Sequence, residues 1–329
     1  MKPLVLGTRG SRLALVQAHA MADALGGEAE GITLKIVQTR GDRLREMRFS
    51  EQLDKGFFTT ELETSLSVGE VDFVVHSLKD LPTENPAGLS VGSIPKRAPT
   101  GDVLLVRPDV LDHNPDSHGL PLRSGSTVGT SAARRRALLA HLDPRMVGVD
   151  LRGNVPTRVK KCVDGVVDAI VLARAGLERL GLDVAPLIPF DLVREVWIPA
   201  PGQGALAIQI RSDDDTVRAR IAALNDDMAQ RSVTLERQVL ATLEGGCHAA
   251  CGAVLLIEGS EAVLHFGMVK EPGEGWQYTT LRFPALGDME QLPQECARII
   301  QAVEDLNSPK AGTSESRPWW KPAIPWKIA

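Results

Sequence analysis

Residues that can bind a metal ion through sulfur or nitrogen lie close together in the segment LEGGCHAACGA, which spans 243–253. They are Cys247, His248 and Cys251. A structural zinc site needs about four ligands, and the sequence offers no second pair spaced to complete one. The segment has no Cys-x-x-Cys motif, which argues against a thioredoxin-like redox pair. A metal site stays open, as does a single thiol that carries a covalently attached group, because glycine lets the backbone approach a ligand closely.

Arginines gather where predicted strands lead into predicted helices. The segments at 132–139 (AARRRALL) and 151–161 (LRGNVPTRVKK) are strongly basic, although the net charge of the chain is −5. The first turn of a helix is already the positive end of its dipole, so Arg134 and Arg135 destabilise their helix unless an anion neutralises them. An acidic protein with local basic clusters is expected to hold a small polyanion rather than nucleic acid. We therefore interpret both arginines as anion ligands, the alternative being a solvated basic surface.

Asp80 follows a predicted buried strand and adjoins Lys79. A neighbouring cation favours the ionised form of a carboxyl group. Asp80 is therefore suited to stabilise a developing positive charge or to accept a proton. The alternatives for Asp80 are a helix cap or a salt bridge to Lys79.

The elements that must position these residues repeat one pattern, in which an apolar strand is followed by a polar turn and an amphipathic helix. The pattern occurs at 3–25, and again in VDFVVHSLKDLP (71–82), STVGTSAARRRALLAHL (126–142) and MVGVDLRGNVPTRVKKCVDG (146–165). Strands that are apolar throughout are typical of sheets covered on both faces. Ligands of α/β sheets bind beyond the carboxyl ends of strands, where the candidate residues fall.

The length of 329 residues predicts two or three domains. We predict an α/β fold with lobe 1 at 1–96 and 196–214, lobe 2 at 97–195, and a smaller C-terminal α+β domain at 217–306. The segment 196–211 is expected to cross back and complete the first lobe. The remaining residues, 307–329, are predicted to form a flexible tail whose tryptophans dock on the chain's own domains or on a partner.

Four cysteines in a chain of this length do not make a disulfide framework, which favours a reducing compartment. The N-terminal segment MKPLVLGTRGSRL is too short to be a signal peptide, and no apolar run reaches the length of a membrane span. These features predict a cytoplasmic protein that binds neither membranes nor nucleic acid.

Nine segments in order resemble the hydroxymethylbilane synthase family, also called porphobilinogen deaminase. They span residues 7 to 247, and the C-terminal domain extends the resemblance to about 305. The segments are GTRGSRLALVQA, TRGD, DKGFFTTELE, VDFVVHSLKDLP, VGTSAARRR, LRGNVPTR, AIVLARAGLERLG, PAPGQGALAIQIR and LEGGC.

The resemblance implies two periplasmic-binding-protein-like lobes and an enzyme that condenses four porphobilinogen molecules with release of ammonia. The product is the linear tetrapyrrole hydroxymethylbilane. The family builds it on a dipyrromethane cofactor, which the resemblance implies is held by a thioether to Cys247. It implies a monomer without a metal ion, and His248 and Cys251 then become structural residues.

The resemblance also implies a role for each matching position, with Asp80 as the catalytic residue. The implied cofactor ligands are Ser77, Lys79, Thr130, Ser131, Arg134, Arg135 and Arg158. The implied substrate ligands are Arg9, Ser11, Gln17, Arg152 and Gln203. Lys55 and Phe58 match a mobile loop over the cleft.

Two departures from the family pattern affect these expectations. Ala132 stands where the family often has a second serine, so one carboxylate hydrogen bond is absent. The segment RAPTGD at 97–102 replaces the usual R-x-D-P-R-D and changes the expected hinge.

Two rival functions are a non-catalytic two-lobed anion-binding protein, which needs neither Asp80 nor Cys247, and a metal-binding regulator that uses Cys247, His248 and Cys251.

Overall fold

The computed structural model describes residues 3–39, 59–113, 119–244, 250–269, 274–284, 291–306 and 320–323. The chain forms two compact units. The first unit contains Met1–Ala98 and Gly204–Gln230, and the second contains Pro99–Gln203 and Arg231–Ala329. The helices in the described residues are α1 (Arg12–Ala24), α2 (Thr60–Ser67), α3 (Ala133–Leu142), α4 (Val155–Val163), α5 (Arg174–Leu180), α6 (Asp215–Ile221), α7 (Asp227–Glu244) and α8 (Leu292–Leu306).

The described strands form three sheets. In chain order they are β1 (Leu4–Thr8), β2 (Ile32–Ile36), β3 (Phe73–Ser77), β4 (Leu89–Ser93), β5 (Asp102–Val106), β6 (Thr127–Gly129), β7 (Val147–Val149), β8 (Ala169–Ala173), β9 (Ile188–Leu192), β10 (Leu206–Arg211), β11 (Ala250–Glu258), β12 (Glu261–Val269), β13 (Gln277–Pro284) and β14 (Trp320–Pro322). The α/β class predicted from the sequence is confirmed.

The sheet of the first unit has the strand order β2-β1-β3-β10-β4. β1 is parallel to both β2 and β3, whereas β10 is antiparallel to β3 and β4. β3 is buried on both faces, because Phe73 and Val75 belong to one apolar cluster and Val74 to another. β10 confirms the prediction that a late segment crosses back to the first sheet. The return to the first unit begins at Gly204 rather than at residue 196.

The larger sheet of the second unit has the order β14-β9-β5-β8-β6-β7. Leu104 and Val106 of β5 pack into one apolar cluster, while Val103 and Leu105 pack into the cluster on the other face. β6 is parallel to β7 and β8, so its carboxyl end leads into α3 at one edge of the sheet. Apolar side chains therefore pack against both faces of this sheet, as the apolar strands predict.

The third sheet, β11-β12-β13, is antiparallel and also belongs to the second unit. Side chains alternate between the faces of a strand, and Val254 and Leu256 of β11 join the apolar cluster that covers β5. Ala253 and Leu255 join the cluster formed with α7 and α8. The sequence predicts a separate domain at 217–306. In the structure, β11 is buried on both faces, and its contact with the cluster that covers β5 explains why this sheet is grouped with the second unit.

The strand β14 comes from the tail, and it pairs antiparallel with β9. Trp320 meets Phe190 in an edge-to-face arrangement, with the ring centroids 5.2 Å apart. The indole N–H of Trp320 donates a 2.7 Å hydrogen bond to the carbonyl of Gly119. The prediction that a tail tryptophan docks on the chain itself is thus confirmed for Trp320.

None of the helices in the described part of the chain is both long enough and apolar enough to cross a lipid bilayer.

Candidate functional site

The first set of candidate residues lies at the carboxyl ends of β1 and β3. Ser11 caps α1, and its hydroxyl accepts a 3.3 Å hydrogen bond from the backbone N–H of Ala14. Gln17, on the buried side of α1, donates a 3.0 Å hydrogen bond from Nε2 to the hydroxyl of Ser77. Two residues 60 positions apart in the chain are therefore brought together at this edge. Arg9 is half-buried at the end of β1.

Lys79 and Asp80 lie on a single 3₁₀ turn, Leu78–Asp80, directly after β3. The buried side chain of Leu78 anchors the turn, and its backbone N–H bonds the carbonyl of Ala205 at 3.0 Å. Both Lys79 and Asp80 are exposed. Asp80 is thus presented at the surface on a turn that the buried Leu78 holds in place, and its role as the catalytic residue stays a prediction.

His76 precedes this turn and is part of a buried polar network that the sequence did not reveal. Its Nε2 lies 3.1 Å from Oε1 of Gln209, whose amide nitrogen in turn donates to Glu63 and Asn85. Because the Gln209 oxygen accepts, Nε2 of the neutral ring carries the hydrogen. Burial lowers the pKa of His76 to about 4, and the Gln209 hydrogen bond only partly offsets this effect. His76 is thus neutral at physiological pH.

The second set of candidates lies in the second unit, where β6 leads into α3. Thr130 is buried, and its hydroxyl accepts a 3.3 Å hydrogen bond from the backbone N–H of Ala132. Ala132 is the N-cap residue of α3 and has no side-chain oxygen to bond the helix end. An N-cap without a side-chain acceptor costs a helix about 1 kcal/mol. The departure at Ala132 therefore also leaves α3 without a capping side chain.

Arg134 and Arg135 are buried and share one internal counterion, Asp102 at the start of β5. Arg134 Nη2 lies 2.8 Å from Oδ2 of Asp102, and Arg135 Nη2 lies 2.7 Å from Oδ1. Arginines in the first turn of a helix need an anion beside them, and Asp102 supplies one from the chain itself. Their assignment as cofactor ligands stays a prediction.

Asp102 also accepts hydrogen bonds from two neutral side chains. The indole of Trp197 donates to Oδ2 at 2.9 Å, and Nε2 of Gln203 donates to Oδ1 at 2.8 Å. Burial by itself raises the pKa of Asp102, but Arg135 and Arg134 outweigh it and hold the pKa far below its usual range. The carboxylate is therefore ionised, and Gln203, predicted as a substrate ligand, is engaged with Asp102 and with the carbonyl of Thr100 at 2.7 Å.

Arg158 and Arg152 follow β7. Asn154 caps α4 by accepting a 2.9 Å hydrogen bond from the backbone N–H of Thr157. Arg158 then donates from Nη2 to the hydroxyl of Ser131 at 3.3 Å, which joins two candidate residues. Burial lowers the pKa of Arg158, and the positive charge of Arg135 lowers it further. Arg152 is more exposed and pairs with Asp150 at 2.9 Å.

Sequence reasoning missed Asp102. The signal was an aspartate directly before the apolar run VLLV, since an acidic residue at the start of a buried strand requires a partner.

Three predicted residues, Lys55, Phe58 and Cys247, lie outside the described residues, as does His248. Cys251 is buried in the apolar cluster between β11 and the helices α7 and α8. Cys251 therefore has the surroundings of a packing residue.

Comparison with known proteins gives consistent matches. Residues 4–219 match a protein-family model described as "Porphobilinogen deaminase, dipyromethane cofactor binding domain". A porphobilinogen deaminase of Roseiflexus sp. (strain RS-1) is 42% identical over 270 residues, covering 81% of this chain and 85% of its own length. A porphobilinogen deaminase of Cytophaga hutchinsonii is 38% identical over 322 residues, covering 96% of this chain and 99% of its own.

Among solved structures, an ancestral cationic amino acid solute binding protein aligns with a TM-score of 0.42 and 16% identity, covering 69% of this chain and 90% of its own. A periplasmic binding protein of Salmonella typhimurium with high arginine specificity aligns with a TM-score of 0.39 and 13% identity, covering 70% and 94%.

Proposed function

The chain belongs to the porphobilinogen deaminase family, and we propose that it assembles hydroxymethylbilane on a primer attached to Cys247, with Asp80 as the catalytic residue. It is a transferase of tetrapyrrole biosynthesis, which condenses four porphobilinogen molecules head to tail and releases ammonia. The observation that carries the proposal is the family match over 4–219, because it spans both sets of candidate residues at the strand ends. The relatives named as deaminases disfavour the alternative of a non-catalytic binder.

The residues of the second unit fit an anionic cofactor. The two guanidinium groups of Arg134 and Arg135 face a single internal carboxylate, that of Asp102, so the buried cluster keeps a net positive charge. Hydrogen bonds to charged groups contribute about 1.5–3 kcal/mol each. The proposed ligands of the cofactor are Ser77, Lys79, Thr130, Ser131, Arg134, Arg135 and Arg158. When bound, dipyrromethane supplies the pyrrole carbon to which the first substrate molecule is joined.

Two features of Asp80 support the proposal: its side chain is exposed, and it lies on a 3₁₀ turn that the buried Leu78 anchors. When porphobilinogen loses ammonia, its methylene carbon becomes cationic, and an ionised carboxylate stabilises that charge electrostatically. The pyrrole carbon that forms the new bond then loses a proton, which a carboxylate oxygen of Asp80 accepts. Arg9, Ser11, Gln17, Arg152 and Gln203 are the proposed residues that orient the substrate.

We propose further that the protein acts as a monomer in a reducing cytoplasm, and that it binds neither nucleic acid nor membranes. Cys162 and Cys296 are free thiols in the described part of the chain. The net charge of −5 disfavours binding to a phosphate backbone.

Intact mass spectrometry of protein from porphobilinogen-producing cells tests the attachment. We expect a mass increase that corresponds to two condensed porphobilinogen units. Cys247→Ser should lose this increase, and the matched control Cys296→Ser, at a half-buried thiol on α8, should retain it. An unmodified wild-type chain that releases no ammonia would refute the enzyme proposal. An adduct that persists in Cys247→Ser would refute the assignment of the thiol.

A further inference from the structure

In the second unit, four side chains converge on the carboxylate of Asp102. Arg134 contributes Nη2, Arg135 contributes Nε and Nη2, and Trp197 and Gln203 add one donor each, at distances from 2.7 to 3.2 Å. Every one of these side chains is buried. Water therefore cannot replace the contacts, and the arrangement of the two arginines depends on Asp102.

The hydrogen bonds use only part of each guanidinium group, which carries five N–H donors. Arg134 spends one on the carbonyl of Ile198 and one on Asp102. Arg135 spends two on Asp102 and one on the carbonyl of Val171. Within the described residues, each arginine is thus fixed by the protein and still keeps N–H donors for a ligand.

The charges of the cluster do not cancel. Two guanidinium groups and one carboxylate leave one positive charge in a buried site, where an uncompensated charge is costly. Arg158 adds a further positive charge near the cluster. The charge of Arg135 contributes to the lowered pKa of Arg158, which shows that the two guanidinium groups interact. One further carboxylate balances the cluster, whereas neutralising Asp102 leaves two positive charges side by side.

We propose that Asp102 is a positioning residue for the reaction, which holds Arg134 and Arg135 in place and reserves one unit of positive charge for a pyrrole carboxylate. This inference rests on the proposed function. Asp102 acts through the two arginines rather than on the substrate, so it sets the binding of the carboxylate and not the chemistry at Asp80.

The test compares Asp102→Asn with Asp143→Asn in the full chain. Asp143 is a matched control: it is also buried in the second unit, pairs with Arg145 at 2.9 Å, and accepts the backbone N–H of Leu120 at 2.7 Å. Three quantities are measured: the urea midpoint, the fraction carrying the two-ring adduct by intact mass, and KM and kcat for ammonia release.

We expect both variants to lower the urea midpoint. Only Asp102→Asn should reduce the adduct fraction several-fold. Because Asp102 also holds Gln203, a proposed substrate ligand, this variant should raise KM for porphobilinogen at least tenfold, with kcat of the loaded fraction within about threefold of wild type. Asp143→Asn should keep KM within about twofold. If the two variants change adduct fraction and KM alike at similar loss of stability, Asp102 is merely structural and the inference fails.

Asp102→Glu covers the case in which Asp102→Asn does not fold. It keeps the charge but moves the carboxylate by one methylene, so it should fold and load the adduct with a raised KM. A wild-type KM in Asp102→Glu would overturn the positioning role. A wild-type protein with neither adduct nor ammonia release would instead refute the proposed function, which keeps the two failures distinct.

Discussion

The buried histidine of the first unit predicts a specific dependence of stability on pH. As the pH falls through 6.5, the unfolded chain takes up a proton on His76, whereas the folded protein keeps the ring neutral until about pH 4. A group with a lowered folded pKa of this kind makes the free energy of unfolding decrease as the pH falls between these two values. The expected slope approaches about 1.4 kcal/mol per pH unit in the middle of that range.

The magnitude follows from the two pKa values. Between pH 7 and pH 5, a change in the pKa of His76 from 6.5 to about 4 removes about 2 kcal/mol of stability. The perturbation is His76→Gln, which keeps a donor for the Gln209 oxygen but has no titrating group. Urea unfolding at half-unit steps of pH from 7 to 5 gives the free energy of unfolding of both proteins.

The difference between the two curves isolates His76 from the other titrating groups. The variant should lose about 2 kcal/mol less than wild type over this range, even if it is less stable at pH 7. His19→Gln, which removes an exposed histidine on α1, is the matched control for the loss of a histidine. Parallel curves for wild type and His76→Gln would refute the reasoning, because the folded protein would then protonate His76 as readily as the unfolded chain.

Two further predictions concern turnover and the tail. Asp80→Asn should lower ammonia release in the loaded enzyme by about 10²–10⁴-fold, the usual contribution of a general base. The control Asp164→Asn removes an exposed ion pair on the second unit and should not lower ammonia release. Near-normal release by Asp80→Asn would show that Asp80 takes no part in the chemistry. Trp320→Ala should lower the free energy of unfolding by about 1–3 kcal/mol, the sum of one edge-to-face pair and one hydrogen bond. Trp320→Phe should recover the part due to the ring pair in urea unfolding, and a variant that unfolds like wild type would show that β14 adds no stability.

The strand ends and helix caps at which the candidate residues lie could be predicted because they follow from local patterns. The run FVVHS is a buried strand in both prediction and structure, and the residues after it occupy the predicted edge. Asn154 caps α4 as its position before Val155 and Pro156 indicates. Periodicity and capping act over a few residues, so a single sequence displays them.

The sequence did not show which buried polar side chains pair with one another. Asp102 meets Arg134 and Arg135 across 32 and 33 positions, and His76 meets Gln209 across 133. Hydrophobic patterns do not encode which buried polar groups will pair, because pairing depends on how the sheets assemble. The strand β14 was missed for a related reason: the tail has no alternating pattern, and Trp320–Pro322 becomes a strand only because β9 offers an edge.

The place of β10 between β3 and β4 has a consequence for synthesis on the ribosome. β3 and β4 are consecutive in the chain, yet neither can complete its pairing until Leu206–Arg211 has been made. The interval from Ser93 to Leu206 is 113 residues, which a ribosome needs roughly 6–23 seconds to translate at about 5–20 residues per second. Throughout that time β3 presents an open edge while Pro99–Gln203, about half of the second unit, is being made. The nascent chain is therefore most exposed to aggregation before the residues of β10 emerge.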